Sequence, residues 1–362
     1  MRIFQIITLS ELGGAQSIVL NLANNYINEH QVFVVAGGEG PMWEQLDDRI
    51  KQIKIRSLQR TISPLDFLVW FKLLWIGLRF RPDIVHLHSS KIGLLGRLAF
   101  SKKKIIYTVH GFDSIRVAYR KFLPIEKFLQ KRTQAIVAVS RYDEKKLIQE
   151  GITNNVHTIY NGIATNKIKN NIILAESIKY IENNEKKIKI ICIARLSPPK
   201  NFKLFCEIAN ELPDIAFFWV GNQYVPSLLF PENVTLLGEV PCASRLNHYV
   251  DIAILVSNYE GMPISIIEAL SYSKPVVASD VGGISEILND ENGFTVCNTV
   301  DAFKEKILFY KNHADEYEKA CIAARKTYEK LFTVEKMVNA YLNVYKTVSP
   351  RLIQNTPALQ VV

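Results

Sequence analysis

The chain has 362 residues, of which 48% are hydrophobic and 22% charged, and a net charge of +9. That length suits two domains with cores of ordinary size, and the composition excludes a disordered chain. Five cysteines (Cys192, Cys206, Cys242, Cys297, Cys321) lie far apart with no Cys-x-x-Cys pair, which points to a reducing compartment and no zinc site; four of them sit in segments typical of buried thiols. No run of about 18 uncharged apolar residues occurs, so no spanning helix is expected. The sequence opens directly on a strand pattern without a secretion signal, so the expected location is cytoplasmic.

Strands and helices alternate from the start. Arg2–Leu9 reads as a strand, Ala15–Glu29 as a helix, and Gln31–Ala36, Ile84–His88, Ile105–His110, Ala135–Ser140 and Val156–Tyr160 as further strands. Arg141–Glu150 is a helix closed by Gly151. This order predicts a parallel sheet covered on both faces, over residues 1–165. Residues 166–187, rich in Lys, Asn and Glu, read as a linker. A second series follows over 188–333, with strands at Lys189–Ala194, Ile215–Val220, Val234–Leu237, Ile252–Val256, Pro275–Ala278 and Gly293–Val296. A last helix covers 334–346, and 347–362 reads as a loose tail. The predicted architecture is α/β, with two doubly wound Rossmann-like domains and a cleft between their strand ends.

The charge is uneven. Residues 1–165 carry 23 Lys+Arg against 13 Asp+Glu, and residues 166–362 carry 21 against 22. A basic half suits nucleic acid or an anionic bilayer. It has no nucleic-acid motif, and its cations lie beside bulky apolar residues, which favours the membrane. Pro64–Phe80 (PLDFLVWFKLLWIGLRF) is apolar nearly all round, with Trp70, Trp75, Lys72 and Arg79; it suits either the bilayer interface or a buried or dimer-forming helix. Lys91–Arg97 and Lys102-Lys103-Lys104 are expected to add surface charge nearby.

Two carboxylates, Glu260 and Glu268, flank a Gly-x-Pro turn in YEGMPISIIEA, between the strand ending near Val256 and the helix that follows. Carboxyl ends of strands are where open α/β sheets bind ligands. A carboxylate pair there suits the hydroxyls of a ribose or hexose, and free N–H groups at the helix start suit phosphate. Arg195 and Lys200 occupy the loop after Ile190–Ala194, with Asn201 able to cap the next helix. Two cations at a strand end suit a pyrophosphate, though a solvated basic loop has the same composition. Gly13-Gly14 before the first helix leaves N–H groups for an anion or makes a simple tight turn. It is not Gly-x-Gly-x-x-Gly, so a dinucleotide fold is not expected. His110 either faces a ligand or is a capping or core histidine, with Asp113 able to join it. His86 and His88 alternate on one strand but lack a third metal ligand.

In this order and spacing, Gly13-Gly14-Ala15, PDIVHLH (82–88), Val109-His110-Gly111, Asn161-Gly162-Ile163, Arg195 with Lys200, EGMPISIIEA (260–269), Pro275–Ala278 and Val281-Gly282-Gly283 resemble the retaining glycosyltransferases of family 4, also called glycosyl transferases group 1, over roughly residues 1–345. The resemblance implies the GT-B fold, with two Rossmann-like domains facing a central cleft. It implies Arg195, Lys200, Glu260 and His110 as the catalytic set. It implies Gly14, Gly221, Gly261, Met262, Pro263, Ile264 and Glu268 as donor-binding, with Glu268 on the ribose. It also implies no bound metal and no cofactor beyond the nucleotide diphosphate sugar itself, such as a UDP-sugar, and a last helix returning to the first domain. Tyr160 replaces the usual Pro, Ser273 the usual Gly, and Gly221-Asn222-Gln223 the usual Gly-x-Gly.

The expected function is therefore transfer of a sugar, with retention, to a glycan or lipid-linked glycan in surface polysaccharide assembly (capsule, O-antigen or exopolysaccharide). The expected site of action is the cytoplasm, peripheral to the membrane's inner face. The expected partners are the donor, that acceptor and an anionic membrane surface, with no nucleic acid. A sugar-nucleotide 2-epimerase of similar fold and an inactive nucleotide-binding partner subunit are the alternatives.

Overall fold

The computed structural model describes residues 1–164, 171–227 and 229–349. The chain divides into two compact units, residues 1–162 with 334–362, and residues 163–333.

In the first unit, seven strands form one sheet: β1 (Arg2–Leu9), β2 (Gln31–Gly37), β3 (Lys51–Lys54), β4 (Ile84–Leu87), β5 (Ile105–Val109), β6 (Ala135–Ala138) and β7 (Val156–Thr158). Their order is β3-β2-β1-β4-β5-β6-β7 and every pairing is parallel. β1, β4, β5 and β6 are buried almost throughout, as a sheet covered on both faces requires. Phe4, Phe33, Val85, Tyr107 and Ile136 centre the core. The helix Val334–Val348 belongs to this unit and buries Met337, Tyr341, Val344 and Tyr345.

The second unit holds β8 (Ile188–Ile193), β9 (Ile215–Val220), β10 (Val234–Leu236), β11 (Ile252–Leu255), β12 (Val276–Ser279) and β13 (Gly293–Val296), ordered β10-β9-β8-β11-β12-β13 and parallel throughout. β9 (IAFFWV) is buried at every residue. Both sheets therefore reverse direction once, between β1 and β4 and between β8 and β11. Such switch points, at the carboxyl ends of the strands, are the ligand-binding positions of doubly wound sheets.

Four expectations need correction. The segment 166–187 is not simply a linker: Ile172–Glu182 is a helix of the second unit, capped by Asn171 and burying Leu174, Ser177 and Ile181, and the division between the units falls at Gly162/Ile163. Lys91–Arg97 is not surface charge. It lies in the helix Ser90–Ala99, where Arg97 is fully buried against Glu126 (2.6 Å) and the Tyr107 ring, and Lys91 pairs with Asp66 (2.6 Å). A guanidinium that deep is retained because a carboxylate and the Gly93 carbonyl satisfy it. Only Cys192 and Cys206 are buried; Cys242 and Cys321 are half-buried and Cys297 is exposed. Asp113 does not join His110. It accepts from Arg116 Nε (2.8 Å) and Tyr142 Oη (2.9 Å). Most of the expected tail, residues 350–362, lies outside the described residues.

Candidate active site

In the second unit the two cationic positions and Glu260 come from loops on either side of the switch point. β8 leads into the loop with Arg195, which is exposed, and Lys200. The Asn201 side chain caps the helix Phe202–Asn210, accepting from the Leu204 N–H (3.3 Å) and so fixing where the Lys200 loop ends. β11 leads into the loop with Glu260. The loops are joined by the Asn258 N–H donating to the Pro199 carbonyl (2.8 Å) and by an ion pair between Lys200 Nζ and Glu260 Oε1. Ser257 Oγ donates to the same Oε1 (2.6 Å).

Ser257 is itself held from two sides. Its N–H donates to Ser279 Oγ at the end of β12 (2.8 Å), and its carbonyl accepts from Asn298 Nδ2 (2.9 Å). Ser279 Oγ in turn donates to Asn298 Oδ1 (2.5 Å). The Glu260 carboxylate is thus oriented by Lys200 from the loop after β8 and by Ser257 of its own loop, which the end of β12 holds in place. Ser257, Ser279 and Asn298 were not legible as site residues, because a small polar side chain at a strand end looks like any turn residue.

Two glycines let backbones touch at this end of the sheet. Gly282 has φ +62°, and a side chain there would place Cβ 1.9 Å from the Glu260 carbonyl oxygen. The next residue donates its N–H to the Gly261 carbonyl (2.9 Å), so the loop after β12 seats the Glu260-Gly261 turn. Gly221, at φ +107°, packs against the Ala194 carbonyl, where Cβ would come within 2.7 Å.

Met262, Pro263 and Ile264 are buried and lead into the helix Ile264–Ser271. Pro263 is extended, and no side chain caps the helix start, which leaves first-turn N–H groups for an anion. Glu268 lies on this helix. Burial pushes its carboxyl up to about 7, and among the described residues it has no hydrogen-bond partner. A carboxyl so placed is ready to accept from ligand hydroxyls.

In the first unit, Gly14 opens the helix Gly14–Tyr26 after β1, and no side chain caps that helix. His88 follows β4 and His110 follows β5. His110 Nε2 lies 3.2 Å from His88 Nδ1. His86 and His88 are fully buried, and burial holds both well below the usual imidazole range; His110 is pushed down to about 4 by the same cause. All three rings are neutral near pH 7. His86 and His88 are committed to hydrogen bonds within the fold, with Thr108, Tyr345 and Gln5. The loop carrying His110 is anchored by the buried Asp143 carboxylate, which accepts from the Phe112 N–H (2.8 Å) and Ser140 Oγ (3.0 Å).

The strand ends of the second unit thus carry a basic site with carboxylates, and those of the first unit carry neutral imidazole beside an uncapped helix. The model for Glycosyltransferase Family 4 matches residues 12–167, and that for Glycosyl transferases group 1 matches residues 175–327, so the chain belongs with the GT-B glycosyltransferases of the family 4 kind. It is similar to the O-antigen biosynthesis glycosyltransferase WbnH of Escherichia coli, 29% identical over 94% of this chain and 97% of that one. It is also similar to the UDP-Gal:alpha-D-GlcNAc-diphosphoundecaprenol alpha-1,3-galactosyltransferase of Escherichia coli, 28% identical over 81% and 83%. Anabaena Alr3699/HepE, solved in complex with UDP and glucose, shares the fold with a TM-score of 0.80 at 19% identity, over 95% of this chain and 99% of that one.

Proposed function

We propose that the protein is a retaining hexosyltransferase that moves a sugar from a nucleotide diphosphate donor to a glycan or lipid-linked glycan in bacterial surface polysaccharide assembly. The observation that carries this reading is the junction of Lys200 with Glu260 across the switch point of the second sheet. One loop then offers positive charge for a leaving diphosphate, and the other offers carboxylate for sugar hydroxyls. The relatives, an O-antigen glycosyltransferase and a galactosyltransferase acting on a diphosphoundecaprenol-linked sugar, agree with it.

In this reading Arg195 and Lys200 neutralise the departing diphosphate, helped by N–H groups at the starts of the helices at Gly14 and Ile264. Glu268 accepts from the ribose. Glu260, with the backbone from Gly261 to Ile264, holds the donor sugar, Gly221 lets the neighbouring loop approach, and His110 meets an outer hydroxyl. Catalysis needs no metal or further cofactor, since fixed cations perform the neutralisation. Glu260 Oε1 already accepts hydrogen bonds from Ser257 Oγ and the Lys200 ammonium, which makes it a poor nucleophile. A same-face path, in which the donor's own phosphate helps deprotonate the acceptor, therefore suits retention better than a glycosyl-enzyme.

The acceptor side falls to the basic first unit. Its helix Asp66–Phe80 buries Val69, Leu73 and Ile76 and exposes Phe67, Leu68, Phe71, Trp75 and Leu78. An apolar face with Trp75, Lys72 and Arg79 suits peripheral attachment to an anionic bilayer. Among the described residues no helix is long and apolar enough to cross a membrane.

A thermal-shift panel of sugar nucleotides, followed by turnover on lipid-linked acceptors and NMR of the new anomeric centre, tests the whole reading. Stabilisation by one donor and a product of unchanged configuration are expected. An inverted anomer rejects retention, and release of free nucleotide diphosphate without any acceptor points to the epimerase instead.

A further inference from the structure

β1 reads RIFQIITL, and of its two buried polar side chains, Gln5 and Thr8, Gln5 sits 0% exposed in the middle of the strand. A buried amide persists only if its donors and acceptors are used. Gln5 joins two branches of a continuous hydrogen-bonded chain. On one side, Nε2 donates to Tyr345 Oη (2.9 Å), which lies 2.6 Å from His86 Nδ1; His86 Nε2 is 2.7 Å from Thr108 Oγ1, itself 3.1 Å from Tyr341 Oη. On the other side, Gln5 Oε1 is 2.6 Å from His88 Nε2, and His88 Nδ1 is 3.2 Å from His110 Nε2.

Donor counting gives this chain a direction. A carbonyl oxygen only accepts, so His88 Nε2 carries a hydrogen and donates to Gln5. His88 is neutral, so its Nδ1 is bare and accepts. The group facing it, His110 Nε2, must then donate. His110 is neutral as well, which leaves its Nδ1 bare. That nitrogen has no partner among the described residues, and His110 is only half-buried. The other branch agrees. Tyr345 accepts from the Gln5 amide and so donates to His86 Nδ1, and His86 Nε2–H donates to Thr108.

Resting on the reading that His110 meets the donor sugar, we propose that Gln5, His88 and Tyr345 are positioning residues that lock His110 with its proton on Nε2, so that Nδ1 receives a hydrogen from a donor-sugar hydroxyl. A bare ring nitrogen attracts a hydroxyl hydrogen and repels a phosphate or carbonyl oxygen. The position therefore selects a hydroxyl-bearing part of the donor and rejects its diphosphate. Reversing the chain would turn the Gln5 amide over and make Nδ1 a donor, with the opposite preference.

The tautomer is read by nitrogen-15 NMR of the histidine-labelled, ligand-free protein, with His110→Ala to assign the signal. An Nε2–H, Nδ1-bare spectrum is expected; an Nδ1–H ring overturns the proposal. Tyr345→Phe removes the hydroxyl that accepts from Gln5 and frees the amide to rotate, so the His110 signal should become a mixture of tautomers. Tyr341→Phe, at the chain's far end, deletes an equally buried hydroxyl and should leave that signal unchanged. A Tyr345→Phe spectrum like the parent's overturns the part assigned to Tyr345. With the donor chosen by the thermal-shift panel, Tyr345→Phe should lower kcat/KM by about tenfold, and lower it no further in a His110→Ala background. Additive losses would make Tyr345 merely structural. Full turnover in His110→Ala overturns the sugar contact and with it the proposal, while leaving the diphosphate-binding reading of the second unit intact.

Discussion

The two units wind their sheets in the same order around the same kind of switch point, yet furnish it with opposite chemistry. In the first, polar groups at the strand ends are neutral and, apart from half-buried His110 with its bare Nδ1, deeply buried and satisfied by one another. In the second they are charged, half-exposed and partly unspent: Lys200 and Glu260 form an ion pair, and the Glu268 carboxyl has no hydrogen-bond partner among the described residues. A neutral network that satisfies itself confers rigidity and a fixed direction of hydrogen bonding. A charged site with spare capacity confers binding. Topology alone distinguishes neither role.

The sharpest test of that division is in the second unit. Lys200→Met combined with Glu260→Gln removes the pair without stranding a buried charge, and turnover should fall by about a thousandfold with the melting temperature nearly unchanged. Steady-state kinetics beside calorimetry decides it, and a fully active double variant breaks the comparison. Gln5→Leu in the first unit should act the other way round. It strands the His88 N–H and takes one donor from the Tyr345 hydroxyl, costing about 2 kcal/mol in urea unfolding, while donor-induced stabilisation of the second unit persists.

pH separates the units further. Burial depresses His86, His88 and His110, so the unfolded chain binds their protons first. Stability from this trio is complete above pH 6.5, the ordinary histidine value, and drains away as pH falls towards about 4. Glu268 has the reverse sign. Its folded value is raised to about 7 from 4.5, so the folded state holds the proton longer and stability falls as pH rises between those values, then levels off. Glu268→Gln should therefore melt about 2–4 °C higher relative to the parent at pH 8 than at pH 5. A constant difference across that range removes Glu268 from the account. The smallest effect concerns the surface: Trp75→Glu with Leu78→Glu should abolish flotation with anionic liposomes and leave solution melting unchanged. Flotation that survives both changes detaches that helix from the membrane.

Much of this was legible in the sequence, and the exceptions have physical causes. Apolar runs such as IAFFWV announce parallel strands, because burial on both faces leaves no polar alternation. β3 (KQIK) escaped notice since an edge strand with three of its four residues exposed carries no such run. Ile172–Glu182 hid behind Lys, Asn and Glu because only three of its positions are buried. The proposed donor-binding residues Lys200, Glu260 and Glu268 stand out as charges beside strand ends. Their supports do not, since Asn298 and Ser279 act through contacts far apart in sequence. Arg97 was the most misleading position: nothing local distinguishes a buried guanidinium from a surface one when its carboxylate lies 29 residues away.

Val334–Val348 supplies the phenols of Tyr341 and Tyr345 to a sheet that begins at Arg2. A ribosome making this protein has thus translated every other described strand and helix before the first unit can close. Until then Gln5 and His86 face water or one another in an unfinished interior. The amino-terminal half emerges first but cannot finish first, and the nascent chain must wait with an exposed seam where a chaperone would find it.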